Sequence, residues 1–341
     1  MLSQSQIIEI QEHLERAQNP VFFFDNDVDG FVSFLLLARF IERGKGVAIK
    51  SFPDLSVNYF KKVQELNADY IFVLDKNSVS DEFLDEVSKV NLPVVWIDHH
   101  DAEVQDLPEF VSYYNPGREP TTMLCSQITN KKDDLWLAVV GCVSDRYLPL
   151  FYNKVKEQYP DLCIDSDDAF DIVFGDGLGK IERMLNYNLK DTTTNVVNMI
   201  RFLLKVKSPY DILDERKENK RMHERFSQVD EKTQDLMKKA FRLGESSENL
   251  IVFEYAGDVS MSANLSNALM HSYPEKTIVV IYKREESATI SIRGNDIRDK
   301  SQKVILGLDN ATCGGHDEAV GAKIMLKDLE EFKKRIKEEF E

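Results

Sequence analysis

The chain has 341 residues, 43% of them hydrophobic, and a formal net charge of −16 from 59 acidic and 43 basic residues. The length exceeds what one hydrophobic core usually organises, so two domains are expected, and the acidic balance disfavours a surface that tracks long nucleic acid by phosphate contact. No membrane-length apolar run, no signal-peptide pattern at Met1-Leu2-Ser3-Gln4 and no C-x-x-C pair among Cys125, Cys142, Cys163 and Cys313 is found, so a cytoplasmic protein with buried thiols and no membrane contact is expected.

Residues 6–17 have helical spacing. Val21-Phe22-Phe23-Phe24 reads as a buried strand, and Gly30 opens an apolar helix over 31–42. A strand over 47–52, a helix over 57–66, a strand over 70–74, a helix over 81–89 and a strand over 93–97 continue the alternation. It predicts an α/β fold with a doubly wound, mainly parallel sheet. An edge strand and turn follow at 111–117, and a helix begins at Thr121. The apolar run 135–140 reads as a helix. From 151 to 246 the pattern turns helical and polar, and its charged stretch, 214–242, reads as a solvated connector. A second, smaller α/β unit starts near Asn249. It is expected to hold a strand over 250–255, a helix over 261–271, adjacent strands over 276–283 and 288–293, and a helix over 300–306. A tight loop at Thr312-Cys313-Gly314-Gly315-His316 is expected to lead into a helix over 317–323, and 328–341 is a charged amphipathic tail helix.

Acidic and histidine residues end the apolar runs: Asp25, Asp27 and Asp29 before Gly30, then Asp75, then Asp98-His99-His100, then Asp145. Ligand sites of parallel sheets lie beyond the carboxyl ends of the strands, so these groups would share one crevice. Converging carboxylates repel each other unless cations intervene, and the set therefore asks for bound metal. In Asp25-x-Asp27-x-Asp29, alternate positions project the same way if the strand continues. A calcium loop is excluded, because its twelfth position would be Leu36 in place of glutamate. Singly, Asp75 and Asp145 read as caps or turns, and only the set raises them.

With these motifs the chain resembles the DHH phosphoesterase superfamily, through Asp98-His99-His100, and its D-x-D-x-D-G form looks most like the RecJ-type exonuclease branch. Ser291-Ile292-Arg293 and Gly314-Gly315-His316-x-x-Ala319-x-Gly321 resemble the companion substrate-binding domain, DHHA1. The resemblance implies a DHH catalytic domain over 1–195, a helical connector over 196–246 and a DHHA1 domain over 247–341. It implies two divalent metal ions, with Mn²⁺ suited better than Mg²⁺ by the mixed carboxylate and imidazole ligands and Mg²⁺ left open. Asp25 and Asp27 would hold one, Asp29 and His99 the other, with Asp75 bridging and Asp145 completing the second site. His100 would meet the scissile phosphate or leaving group, and Asp98 would orient a histidine. Arg293, Gly314, Gly315 and His316 would hold a substrate phosphate at a helix N-terminus. One departure is Lys76-Asn77, where relatives often have a glycine close behind the aspartate.

The expected function is hydrolysis of single-stranded DNA or RNA, or of short oligonucleotides, to mononucleotides. Phe31, Tyr114 and Tyr147 are the candidate stacking aromatics, and a homodimer is compatible with the pattern. The chain ends about 20 residues after Gly321, so no appended nucleic-acid-binding domain is expected. A small-phosphate hydrolase acting on phosphoadenosine-phosphate, cyclic dinucleotides or polyphosphate stays open, as does a non-catalytic replication or repair module. Every ligand position is filled, which favours an enzyme.

Overall fold

The computed structural model describes residues 1–50, 54–101, 106–257 and 259–340. The chain divides into two compact units, Met1–Phe226 and Ser227–Glu341. The first unit is built on five strands: β1 (Pro20–Asp25), β2 (Lys45–Ile49), β3 (Tyr70–Leu74), β4 (Val94–Ile97) and β5 (Val111–Tyr114). All pair in parallel, in the order β2-β1-β3-β4-β5. The order reverses at β1 and β3, and in open α/β sheets ligands bind at such a reversal, outside the carboxyl ends.

Continuous apolar strands form because both faces are covered. Val21, Phe23, Ile71 and Val73 face a core shared with Phe60, Phe83 and Val87. Those last three belong to α3 (Phe60–Glu65) and α4 (Asp81–Lys89), which follow α1 (Gln4–Arg16) and α2 (Val28–Ile41) in the chain. Phe22 and Phe24 point the other way, where Phe22 stacks on Phe72 at 4.9 Å and Phe24 on Phe34 of α2 at 5.2 Å. Phe31 joins this cluster, 5.5 Å from Phe24, so it is core and not a stacking platform. Tyr114 is buried too, while Tyr147 is half-buried.

Next come α5 (Thr121–Thr129) and α6 (Leu135–Ser144). Every residue from Trp136 to Val143 is buried, so α6 is apolar all round, as a helix inside the core must be. A Cβ at Gly141 would lie 2.3 Å from Thr122 Oγ1, so this glycine lets α6 lie against α5. The remaining helices are α7 (Tyr152–Gln158), α8 (Ala169–Phe174), α9 (Leu178–Leu189), α10 (Thr193–Leu203), α11 (Pro209–Leu213) and α12 (Lys220–Ser246). The division between the units falls within α12. Arg39 of α2 pairs with buried Asp134 at 2.6 Å and donates to the carbonyls of Leu203 and Val206, tying the end of α10 and the start of α6 to α2.

The second unit has β6 (Leu250–Ala256), β7 (Thr277–Lys283), β8 (Ser287–Arg293), β9 (Thr312–His316) and β10 (Ala319–Met325), in the order β6-β7-β8-β10-β9. Its helices are α13 (Ser262–Ser272), α14 (Ile297–Ile305) and α15 (Leu329–Phe340). Among these strands only β6 and β7 run parallel. The helix expected over 317–323 is instead the start of β10, and Gly314-Gly315-His316 lies in β9 and not in a loop before a helix. The cause is readable in period two: Val320, Ala322 and Ile324 are buried against α14 and α15, while Ala319, Gly321 and Lys323 face the other way. The anion site expected at a helix N-terminus there has no helix to supply it.

Candidate active site at the carboxyl edge of the parallel sheet

The three carboxylates of the first motif stand on three kinds of backbone. Asp25 closes β1. Asp27 is the N-cap of α2 and accepts the Gly30 N–H at 3.0 Å. Asp29 lies in the first helical turn, so the strand does not continue through the motif as alternation predicted. Gly30 serves close approach here and not a turn, because a Cβ would lie 2.8 Å from the backbone N and O of Asp25.

Asp29 is almost fully buried and accepts the backbone N–H groups of Thr121 and Thr122 at 2.9 and 2.8 Å. It thereby caps α5 from 92 residues away, since Pro120 at the N-cap offers no side-chain acceptor. Asp75 ends β3 in left-handed backbone, φ 59°, and donates its N–H to the Ile97 carbonyl at 2.9 Å. Its Oδ1 accepts from Thr121 Oγ1 at 3.1 Å. Asp145 is the C-cap of α6 and is exposed.

His99 gathers these groups. Its Nε2 lies 3.3 Å from Asp145 Oδ2, 3.4 Å from Asp75 Oδ1 and 3.8 Å from Asp29 Oδ2. His100 turns differently, with Nδ1 2.7 Å from Asp98 Oδ1, and its ring lies 4.6 Å from that of His99. Asp98 is fully buried at the end of β4, and its Oδ2 has no hydrogen-bond partner among the described residues. Asn115 donates to the His100 carbonyl at 2.8 Å, which fixes the turn.

The electrostatics follow from this crowding. Burial, with the charges of Asp75 and Asp145, holds Asp29 well above the usual carboxylate range, against the opposing pull of His99 and Thr122. Asp27 is exposed, yet desolvation from its crowded side and the charges of Asp25, Asp145 and Asp29 push it up as well. Asp75 is raised to about 7 by burial and the charge of Asp27. Burial alone would lower both histidines. Asp75, Asp29 and Asp145 hold His99 at about 10, and Asp98 and Asp75 hold His100 at about 9. These carboxylates are undercompensated and the imidazoles serve as their counter-ions, an imbalance that a bound cation would relieve. Two groups of donors lie within 4.8 Å of one another: Asp75, His99 and His100, and Asp29, His99 and Asp145. Mixed oxygen and imidazole donors of this kind fit a divalent ion.

Sequence reasoning passed over Lys76 as a local irregularity. Its side chain is buried, and its Nζ lies 3.4 Å from Asp25 Oδ1. Trp96, buried on β4, donates its indole N–H to the Lys76 carbonyl at 2.7 Å. The only signal in the sequence was the departure from glycine behind Asp75.

The other expected residues lie in the second unit. Arg293 ends β8 and donates to Asn267 Oδ1 at 2.8 Å and to the Ile292 carbonyl at 2.8 Å. In register, Arg293 is opposite Ala319 and Ala319 opposite His316, while Ser291 is opposite Gly321 and Gly321 opposite Gly314. Opposed residues share a face, so Ser291, Arg293, Gly314, Ala319 and Gly321 lie on one face, away from the core of α14 and α15. Among the described residues no atom would crowd a Cβ at Gly314, whereas one at Gly315 would lie 2.2 Å from the Ala319 carbonyl oxygen. Gly315 also has φ 145°, so its role is in the hairpin. The expectation for the His316 side chain lies outside the described residues.

Residues 21–143 match the DHH family, N-terminal domain. No curated protein sequence matches the chain. Among solved structures it is similar to RecJ from Thermus thermophilus in complex with Mn²⁺, with a TM-score of 0.67 and 13% identity over 97% of this chain and 53% of that one. The chain therefore spans about half the length of that protein. It is similar to an exonuclease RecJ bound to manganese, with a TM-score of 0.64 and 14% identity over 97% of this chain and 92% of the other. A third likeness is to the DHH domain of a member of a family of ribosomal proteins, with a TM-score of 0.67 and 14% identity over 98% and 89% of the two chains. At these identities the likeness is one of fold.

Proposed function

Because its first unit carries a DHH-family N-terminal domain, we propose that this chain is a divalent-metal-dependent phosphodiesterase. Its substrates would be single-stranded DNA or RNA, or short oligonucleotides, cut to mononucleotides, as the similarity to RecJ suggests. The observation that carries the reading is the convergence of Asp29, Asp75 and Asp145 on His99 Nε2 at the reversal of strand order.

Asp29, Asp75, His99 and Asp145 would hold the metal, with Mn²⁺ favoured over Mg²⁺ by the imidazole donor. Bound there, a divalent cation supplies Lewis-acid stabilisation of phosphoryl oxygens and a more acidic water. The chain's own residues do the rest. Asp98 takes Nδ1 of His100, which leaves Nε2 to face the substrate. With Asp98 on its Nδ1, His100 can give a hydrogen bond to a phosphate oxygen or a proton to the leaving oxygen. Thr121 holds Asp75 through its hydroxyl, so that carboxylate keeps one orientation. On the second unit, the open surface of Gly314 and Gly321 beside Arg293 would admit a phosphate close to the backbone.

The test is hydrolysis of end-labelled DNA and RNA in Mn²⁺, from dinucleotides to long strands, with Asp75→Ala as control. Hydrolysis by the wild type and its loss in the variant, with far-UV circular dichroism unchanged, is the expected result. Equal turnover in the two would remove the assignment. Activity on small phosphate esters alone would move the substrate to that class.

A further inference from the structure

A site of five carboxylates needs cations, and one of them is already in the chain. Lys76 follows Asp75 directly and its side chain is 3% exposed. Its Nζ lies 3.4 Å from Asp25 Oδ1, and that same oxygen accepts the Asn26 N–H at 3.0 Å. The position is built, because Trp96 anchors the Lys76 carbonyl and the neighbouring Asp75 N–H is bonded to Ile97. Lysine is almost never buried unless it is paired.

The candidate metal donors form two groups apart from this pair. Both contain His99, and neither contains Asp25 or Asp27. Asp27 spends Oδ1 on the N-terminus of α2. A divalent ion held by Asp25 and Asp27 would have to share Asp25 with a buried ammonium 3.4 Å away, and two cations in contact range repel.

We propose that the Lys76 ammonium stands in place of one of two metal ions, so that the chain binds a single divalent cation, centred on His99. This rests on the metal-dependent reading of the same site. The chain's own cation faces Asp25, and the exchangeable one would lie among Asp29, Asp75 and Asp145 and offset most of their charge.

The experiment counts Mn²⁺ per chain by equilibrium dialysis with elemental analysis, and records the electron paramagnetic resonance spectrum of the loaded full-length protein. One ion per chain with an uncoupled six-line signal is expected for the wild type. Lys76→Met, close in length but neutral, is expected to take up two ions and show the broadened signal of an exchange-coupled pair. Two coupled ions in the wild type would overturn the inference and leave the phosphodiesterase reading standing. No bound ion in the wild type would remove both. Lys76→Met that is folded yet still holds one ion would also overturn it. If Lys76→Met does not fold, Asp25→Asn decides: an unchanged single ion supports the inference, and loss of that ion overturns it.

Discussion

At the edge of the first sheet, three carboxylates, Asp29, Asp75 and Asp145, lie within 3.8 Å of one ring nitrogen of His99, each delivered by the end of a different strand or helix. On the second sheet, Gly314, Ala319 and Gly321 share a stretch of face nearly without side-chain volume, beside Arg293. The first region works by concentrating charge, and its parts are indispensable one by one. The second works by leaving room, and its parts matter by what they do not contain. Substitutions should therefore act oppositely: removal of atoms disables the edge, and addition of atoms disables the face.

The largest expected effect is at the edge. His99→Ala removes the atom that three carboxylates share, and turnover in Mn²⁺ should fall by about 10³-fold or more. Mn²⁺ titration should show the ion lost as well. A variant within tenfold of wild type would mean that the carboxylates hold the metal without the ring, and the contrast between the regions would weaken.

On the face, two glycines separate folding from binding. Gly315→Val introduces a Cβ 2.2 Å from the Ala319 carbonyl oxygen at φ 145°, and should destabilise the second unit by about 2–4 kcal/mol in a denaturant titration. Gly321→Val meets only Gly314 O, at 3.9 Å, so stability should change by less than about 1 kcal/mol. If the face admits substrate, the same variant should raise KM about tenfold with kcat little changed. A melting shift as large as that of Gly315→Val would show instead that the face is packed.

The smallest effect is graded by pH. Without metal, Asp27, Asp29, Asp75, His99 and His100 all have raised values, so the folded chain holds more protons than the unfolded one. Stability then falls as pH rises. The part from Asp75 is complete below 3.8 and gone above about 7, and the histidine part is complete below 6.5 and lost through about 9 to about 10. A divalent ion displaces those protons, so stabilisation by Mn²⁺ should grow over the same range. Melting curves with chelator and with Mn²⁺ check both slopes. A flat chelator profile would place the cluster in freer contact with water than its burial indicates.

The parallel sheet was legible because strands buried on both faces show as unbroken apolar runs, as in Val21 to Phe24 and Tyr70 to Leu74. The strand ends then pointed to the crevice, since chain direction fixes where they emerge. The β9–β10 hairpin was missed because Gly314 and Gly315 suggested a loop and hid the short alternation from Val320 to Ile324. Lys76 was missed for another reason: nothing local marks a lysine as buried, and its partner lies 51 residues away. The bond from Asp29 to α5 is equally invisible, because only the fold brings residue 29 beside residue 121.

That last bond gives the site an uneven capacity for change over evolutionary time. Both oxygens of Asp29 are committed to backbone N–H groups, and an amide in its place would turn a donor toward one of them. Descendants of this chain that drift away from hydrolysis should therefore keep Asp29 long after its chemistry has gone. Asp145, exposed at the end of α6, is free to vary first. Among future relatives, the order in which the acidic positions disappear would separate the residues retained for folding from those retained for turnover.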